Sequence, residues 1–160
     1  MKENNQLNIK ELFNLAFQNQ KKKNFKIAIS QYKKIIDINP NLALVYYNLG
    51  LIYERLEETE AAKENYKKSV KVDPLFFHSY NNLGILFQKQ GEKEKAIENF
   101  NKVIETNSQY INAYNNLGLV YSSLGHYKDA INSFIKTLKL EKNNSVAKKS
   151  LIYLLTYYCL

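Results

Sequence analysis

Three strings in this chain differ only at their first residue: Tyr47-Asn48-Leu49-Gly50, Asn81-Asn82-Leu83-Gly84 and Asn115-Asn116-Leu117-Gly118. Their glycines lie 34 residues apart, twice. A period of that length marks a chain made of stacked copies of one small unit, none of which can bury its apolar face alone. With the glycine placed at slot 8, the copies run over 9–42, 43–76, 77–110 and 111–144. A polar segment, 1–8, precedes them and a terminal stretch, 145–160, follows.

The slots specify helices. Slot 4 holds Leu12, Tyr46, Tyr80 and Tyr114; slot 7 holds Leu15, Leu49, Leu83 and Leu117. Slot 8 is Ala16, Gly50, Gly84 and Gly118, and slot 11 is Asn19, Tyr53, Phe87 and Tyr121. The spacing i, i+3, i+4, i+7 is one face of a helix. A second helix follows from slots 20, 24, 27 and 28, as in Ala96, Phe100, Val103 and Ile104. Slot 20 is Ala throughout (Ala28, Ala62, Ala96, Ala130), and slot 24 is aromatic throughout (Tyr32, Tyr66, Phe100, Phe134). Small residues at slots 8 and 20 let the two helices of a hairpin approach closely, with the slot 24 ring filling the space beside them. Asn39-Pro40 and Asp73-Pro74 end the second helices, because the residue before Pro is pushed out of the α region. Eight helices are expected near 9–22, 25–38, 43–56, 59–72, 77–90, 93–106, 111–124 and 127–140, and a ninth near 145–158.

The pattern resembles the tetratricopeptide repeat, whose 34 residues carry a large residue, Leu-Gly, Tyr, Ala, an aromatic and Pro in this order. The departures are the absence of Trp at slot 4, Ser108 and Lys142 in place of Pro, and Ala16 and Asn19 in the first copy. The resemblance implies an all-α, right-handed superhelix, an α-solenoid of four hairpins plus a C-terminal helix. It also implies a concave groove lined by the first helix of each repeat.

Composition narrows the class further. Charged residues at 24% and apolar residues at 45% suit a folded chain with the length of one compact domain. One Cys excludes an internal disulfide framework, and no stretch reads as a signal peptide or a membrane span. A cytoplasmic protein is expected. The net charge is +8, yet 22 of the 23 cations are Lys and only Arg55 is Arg. Bidentate phosphate recognition favours Arg, so no specific nucleic-acid partner is expected.

Slot 6 is the candidate site: Asn14, Asn48, Asn82 and Asn116. Asn is a poor helix former, and its amide offers one acceptor and two donors, the complement of a peptide group. The column resembles the asparagine ladder in the superhelical repeats of O-linked N-acetylglucosamine transferases, which implies a groove for an extended peptide. Slot 13 adds Lys21, Arg55 and Lys89, which bias that groove towards acidic segments or simply complement the helix dipoles. Slot 26 is Lys34, Lys68, Lys102 and Lys136, read as a solvated outer face. His78 and His126 have neither metal-ligand nor triad spacing, so no active site, metal or cofactor is expected.

In the terminal stretch, Ala147, Leu151, Ile152 and Leu155 fall on the slots expected to face the fourth repeat. Tyr153, Leu154, Tyr157, Tyr158 and Leu160 are then surplus, and such apolar clusters mark interfaces. Tyr153, Leu154, Tyr157 and Tyr158 are the oligomer-interface candidates. The expected function is a scaffold that binds another protein through an extended segment, acidic if the slot 13 cations line the groove. Three alternatives stay open: the substrate-recognition arm of a larger glycosyltransferase-like protein, a homo-oligomer joined through the C-terminal helix, and a basic nucleic-acid adaptor.

Overall fold

A computed structural model describes the backbone of residues 2–158 and the side chains of residues 9–158. Among the described residues there are helices only: α1 (Lys2–Lys21), α2 (Phe25–Ile38), α3 (Ala43–Arg55), α4 (Thr59–Val72), α5 (Phe77–Lys89), α6 (Lys93–Thr106), α7 (Ile111–Ser123), α8 (Tyr127–Leu140) and α9 (Ser145–Tyr157). The last eight begin at the residues read from the period. The first begins at Lys2, inside the segment set apart as a polar lead. Cys159 and Leu160 lie outside the described residues.

The chain divides into two compact units, Met1–Ser79 and Tyr80–Leu160, instead of forming one domain around one core. That is the physics of a repeat array, in which each copy packs only on its neighbours. The core of the first unit gathers Ala16, Ala28, Tyr32, Ile35, Val45, Leu49 and Ile52. One in the second gathers Ala130, Phe134, Ala147 and Leu154.

Each hairpin closes on the contact between slots 8 and 24. A Cβ added at Gly84 would lie 2.6 Å from the Phe100 ring, and one at Gly118 2.6 Å from Phe134. The rings of Tyr32, Tyr66, Phe100 and Phe134 are fully buried. Where the ring is Tyr, the buried hydroxyl finds a partner twelve residues upstream: Tyr32 donates to Gln20 at 2.8 Å and Tyr66 to Glu54. Burial raises the Tyr32 phenol far above its usual range.

Slots 3 and 10 are also core positions from the second repeat on, although their identities vary too much to stand out, and slot 27 is the core position its spacing indicates. Slot 27 is Ile35, Ser69, Val103 and Thr137, each fully buried. Opposite it, slot 3 supplies Val45, Ser79, Ala113 and Ala147, none more than 1% exposed. In the first unit Ser79 Oγ donates to Ser69 Oγ at 2.8 Å, so two buried hydroxyls satisfy each other.

The turns after α2, α4, α6 and α8 do not depend on Pro. Asn39, Asp73, Asn107 and Glu141 share φ between −144° and −132° and ψ between 88° and 100°, whether Pro, Ser or Lys follows. Asn39, Asp73 and Asn107 each accept, through the side-chain oxygen, the backbone N–H two residues on, at 2.9–3.1 Å. This side-chain turn stands in for the ring at Ser108.

In α9 the face differs from the expectation. Leu154, read as surplus, is fully buried, and Ile152 and Leu155, read as facing inward, are 66% and 49% exposed. Ala147 and Leu154 occupy slots 3 and 10, the stripe that is buried in every repeat after the first. Slots 8 and 11, which in the four hairpins face the hairpin's own second helix, have no second helix here among the described residues.

Two outcomes test this packing. Gly84→Leu drives a side chain into Phe100 and should cost about 1–3 kcal/mol or more, read as a lower thermal midpoint. Ser69→Ala or Ser79→Ala alone strands a buried hydroxyl and should cost about 1–3 kcal/mol in urea unfolding. The double Ser69→Val/Ser79→Ala variant copies the Val103–Ala113 pair of the second unit and should return to within about 1 kcal/mol of the parent.

Candidate functional site

The four slot 6 asparagines are in different states. In the first unit Asn14 is exposed, whereas Asn48 is 4% exposed and its Nδ2 donates to the Leu44 carbonyl at 2.8 Å. That bond runs back one turn along the same helix, so this donor is committed to α3. In the second unit Asn82 and Asn116 are half-buried, and Asn82 Oδ1 accepts from Asn81 Nδ2 at 3.3 Å. The residues before them, Asn81 and Asn115, are buried, and their Oδ1 atoms have no hydrogen-bond donor. The sequence carried a sign of these buried amides in the doublets Asn81-Asn82 and Asn115-Asn116.

The slot 13 cations separate by unit. Lys21 and Arg55, at the C-terminal ends of α1 and α3, line one cavity of about 550 Å³ in the first unit. Phe17, Phe25, Leu51 and Ile52 supply its apolar wall. Gln20 lines it too, with its Oε1 fixed by the Tyr32 hydroxyl. Lys23 is the third cation, and the lining holds no carboxylate. Lys21 Nζ sits 4.7 Å over the centroid of the Phe17 ring. Lys89 belongs to the second unit and is not part of this cavity.

Slot reasoning placed Lys21 and Arg55 on one face but missed Lys23. It sits in the turn after α1 at φ +63°, where the third and fourth repeats carry Gly91 and Gly125 at φ +79° and +76°. Glu57 fills the same slot in the second repeat at φ +61°. A side chain in this left-handed region is strained by about 1–2 kcal/mol.

On the second helices, three of the four slot 26 lysines are engaged locally. Lys68 pairs with Glu64 at 2.7 Å, Lys102 with Glu105 at 2.7 Å, and Lys136 lies 5.7 Å over the Tyr114 ring. Two clefts of about 350 and 330 Å³ open beside this column, one per unit. Tyr46, Tyr53 and Lys68 in the first correspond slot for slot to Tyr114, Tyr121 and Lys136 in the second.

The histidines are held by rings. His78 lies against Phe77, ring centroids 4.1 Å apart, and burial lowers its pKa. His126 precedes α8 and stacks on Tyr121 at 6.2 Å. Among the described residues no three His, Cys, Asp or Glu side chains group as metal ligands, and no helix is long and apolar enough to cross a membrane.

Two successive hairpins of one architecture in each unit, with a fixed 34-residue register, define a helical-repeat protein. The TPR repeat pattern matches residues 21–57 and 89–125, and tetratricopeptide repeat patterns match 43–74, 65–98 and 111–144. The chain belongs to the tetratricopeptide repeat family. Its structure is similar to two crystal structures of MamA. One is 29% identical, with 98% of this chain and 83% of that chain covered and a TM-score of 0.84. The other is 28% identical over 84% and 79%, at 0.78. The structure of PilF from Pseudomonas aeruginosa, 22% identical over 96% of this chain and 70% of that one at a TM-score of 0.80, shares the fold. No curated protein matches the chain.

Proposed function

We propose that this chain is a protein-interaction scaffold that holds an extended segment of another protein on its first helices. The observation that carries this reading is the open cavity between the ends of α1 and α3, walled by first-helix side chains of two successive hairpins together with Lys23 and Phe25 from the turn and start of α2. The half-buried amides of Asn82 and Asn116 support it in the second unit, as groups able to bond a peptide backbone whatever its side chains. A cytoplasmic location suits a chain with a single Cys.

The test is a titration of peptides recovered by affinity capture. Each amide–backbone bond contributes about 0.5–1.5 kcal/mol. Losing one bond at each position in Asn82→Ala/Asn116→Ala should weaken binding by about five- to 150-fold. Bonds between neutral groups keep that ratio at low and moderate salt, whereas a phosphate-tracking protein loses affinity steeply with salt and is indifferent to the two amides. Equal affinity of parent and variant overturns the role of these asparagines.

A second reading rests on α9. Its exposed Ile152 and Leu155 occupy slots 8 and 11, continuous with Tyr153 and Tyr157, which are 52% and 69% exposed. Ile152 stands where close hairpin packing requires Gly or Ala. A partner helix must therefore sit further out, at the 8–10 Å spacing of ordinary helix pairs. We assign that place to α9 of a second copy, related by a two-fold axis that sets Ile152 against its counterpart. Tyr158, by contrast, stacks on Tyr127 of its own unit at 4.1 Å. Sedimentation should show a dimer for the parent and a monomer for Ile152→Lys/Leu155→Lys; a monomeric parent at all concentrations overturns this reading.

A further inference from the structure

The basic charge of this chain is concentrated in one place. Residues 9–42 carry seven Lys against Glu11 and Asp37, which is +5 of the total +8, whereas 43–76 is net −1 and 77–110 is neutral. Elsewhere, four lysines pair with carboxylates of their own helix or turn: Lys63 with Glu60, Lys68 with Glu64, Lys95 with Glu92 and Lys102 with Glu105. Among the described residues, Lys21, Lys23 and Arg55 have no carboxylate partner, and all three line the 550 Å³ cavity. Its volume lies within the roughly 300–1,000 Å³ of ligand pockets. The wall behind the cations is apolar: Phe25 packs on the core of the first unit, and Ile52 is fully buried within it.

We infer that this cavity binds an acidic peptide segment bearing one large apolar side chain. The apolar side chain seats on Phe25 and Leu51, and carboxylates on either side of it meet Lys21, Lys23 and Arg55. This deepens the scaffold reading and rests on it. Charge selects the class of ligand, since three cations with no carboxylate partner attract anions over a Debye length of about 8 Å. The state of the rings selects peptide over single-stranded nucleic acid. Base stacking needs an open aromatic face, whereas Phe17 is covered by Lys21 Nζ and Phe25 is half-buried in the core. Lys23 adds a second argument. Its slot accepts glycine without strain in two other repeats, yet here a lysine is held at φ +63° with its side chain on the cavity.

The probe is a rhodamine-labelled synthetic peptide with the centre Asp-Glu-Phe-Glu-Asp flanked by Gly-Ser, followed by anisotropy with the full chain at about 0.15 M ionic strength. Replacing its four carboxylates by amides should weaken binding about tenfold or more, as should replacing its Phe by Gly. On the protein, Lys21→Gln/Arg55→Gln should weaken binding about tenfold. Lys23→Gly should weaken it about threefold without lowering the melting temperature, because glycine relieves the backbone. Glu57→Gly and Lys136→Gln should leave the affinity unchanged. No binding by the parent, or equal binding by the Lys21/Arg55 variant, overturns the inference. So does tighter, salt-sensitive binding of a labelled oligodeoxythymidine that the same variant abolishes. Asn82→Ala/Asn116→Ala should not alter this short probe. If that pair alone weakens captured peptides while the cavity variants do nothing, the cavity assignment falls and the scaffold reading stands. If neither set has any effect on either ligand, both fall.

Discussion

The contact between a missing side chain and a buried ring organises this molecule. At slot 8 of the second, third and fourth repeats there is only hydrogen on the Cα, and the ring from slot 24 occupies the space a side chain would take. The first repeat places Ala16 and Tyr32 at these slots, both fully buried, so one methyl is accommodated at its crossing. Once that distance is set, slots 11, 20 and 28 follow as the rest of the hairpin core. Slot 7 joins them in the later repeats, while Leu15 of the first is 49% exposed. The same distance explains why α9 is different. With Ile152 at the crossing, it packs through slots 3, 7 and 10 and leaves its hairpin face bare.

Slots where one chemical type recurs were legible before any coordinates, and they placed eight helix starts at the observed residues. Slots where only burial recurs were not. In the second to fourth repeats slot 10 runs Ile52, Leu86, Val120 and slot 3 runs Val45, Ser79, Ala113, so no identity repeats while the position in the core does. Packing between successive hairpins asks for complementary pairs and not for a residue type. A Ser opposite a Ser satisfies it as well as an Ala opposite a Val, once the two hydroxyls are bonded. The misreading of α9 came from the same source. Ala147 and Leu151, at slots 3 and 7, do face inward, whereas slots 8 and 11 matter only when a second helix is present.

The candidate site divides along similar lines. Lys21 and Arg55 could be placed together because both are basic at one slot, and the structure puts both on one cavity. Lys23 could not, since a turn residue's direction depends on φ, and nothing in the sequence announces φ +63° for a lysine. The asparagine column is less uniform than its spelling. Asn48 is tied to the Leu44 carbonyl and buried, Asn14 is exposed, and Asn82 and Asn116 are intermediate. Identity at a slot therefore guarantees position along the helix and leaves the side chain's bonding to its neighbours.

That separation between fixed and variable slots is how one scaffold carries individual function. The residues that close the hairpins are nearly the same in all four copies, so they cannot distinguish one part of the surface from another. What distinguishes the first hairpin is its variable slots. Seven lysines lie between residues 9 and 42, and two of them, with Arg55 from the next hairpin, meet on an apolar wall that no carboxylate of the described chain enters. In the later hairpins slot 13 holds Lys89 or Ser123 and slot 15 holds Gly91 or Gly125, while the second hairpin has Glu57 at slot 15, so none repeats the set of the first. A repeat array thus localises recognition without altering its fold: the period supplies equivalent positions, and departure from the period at a few of them supplies the site.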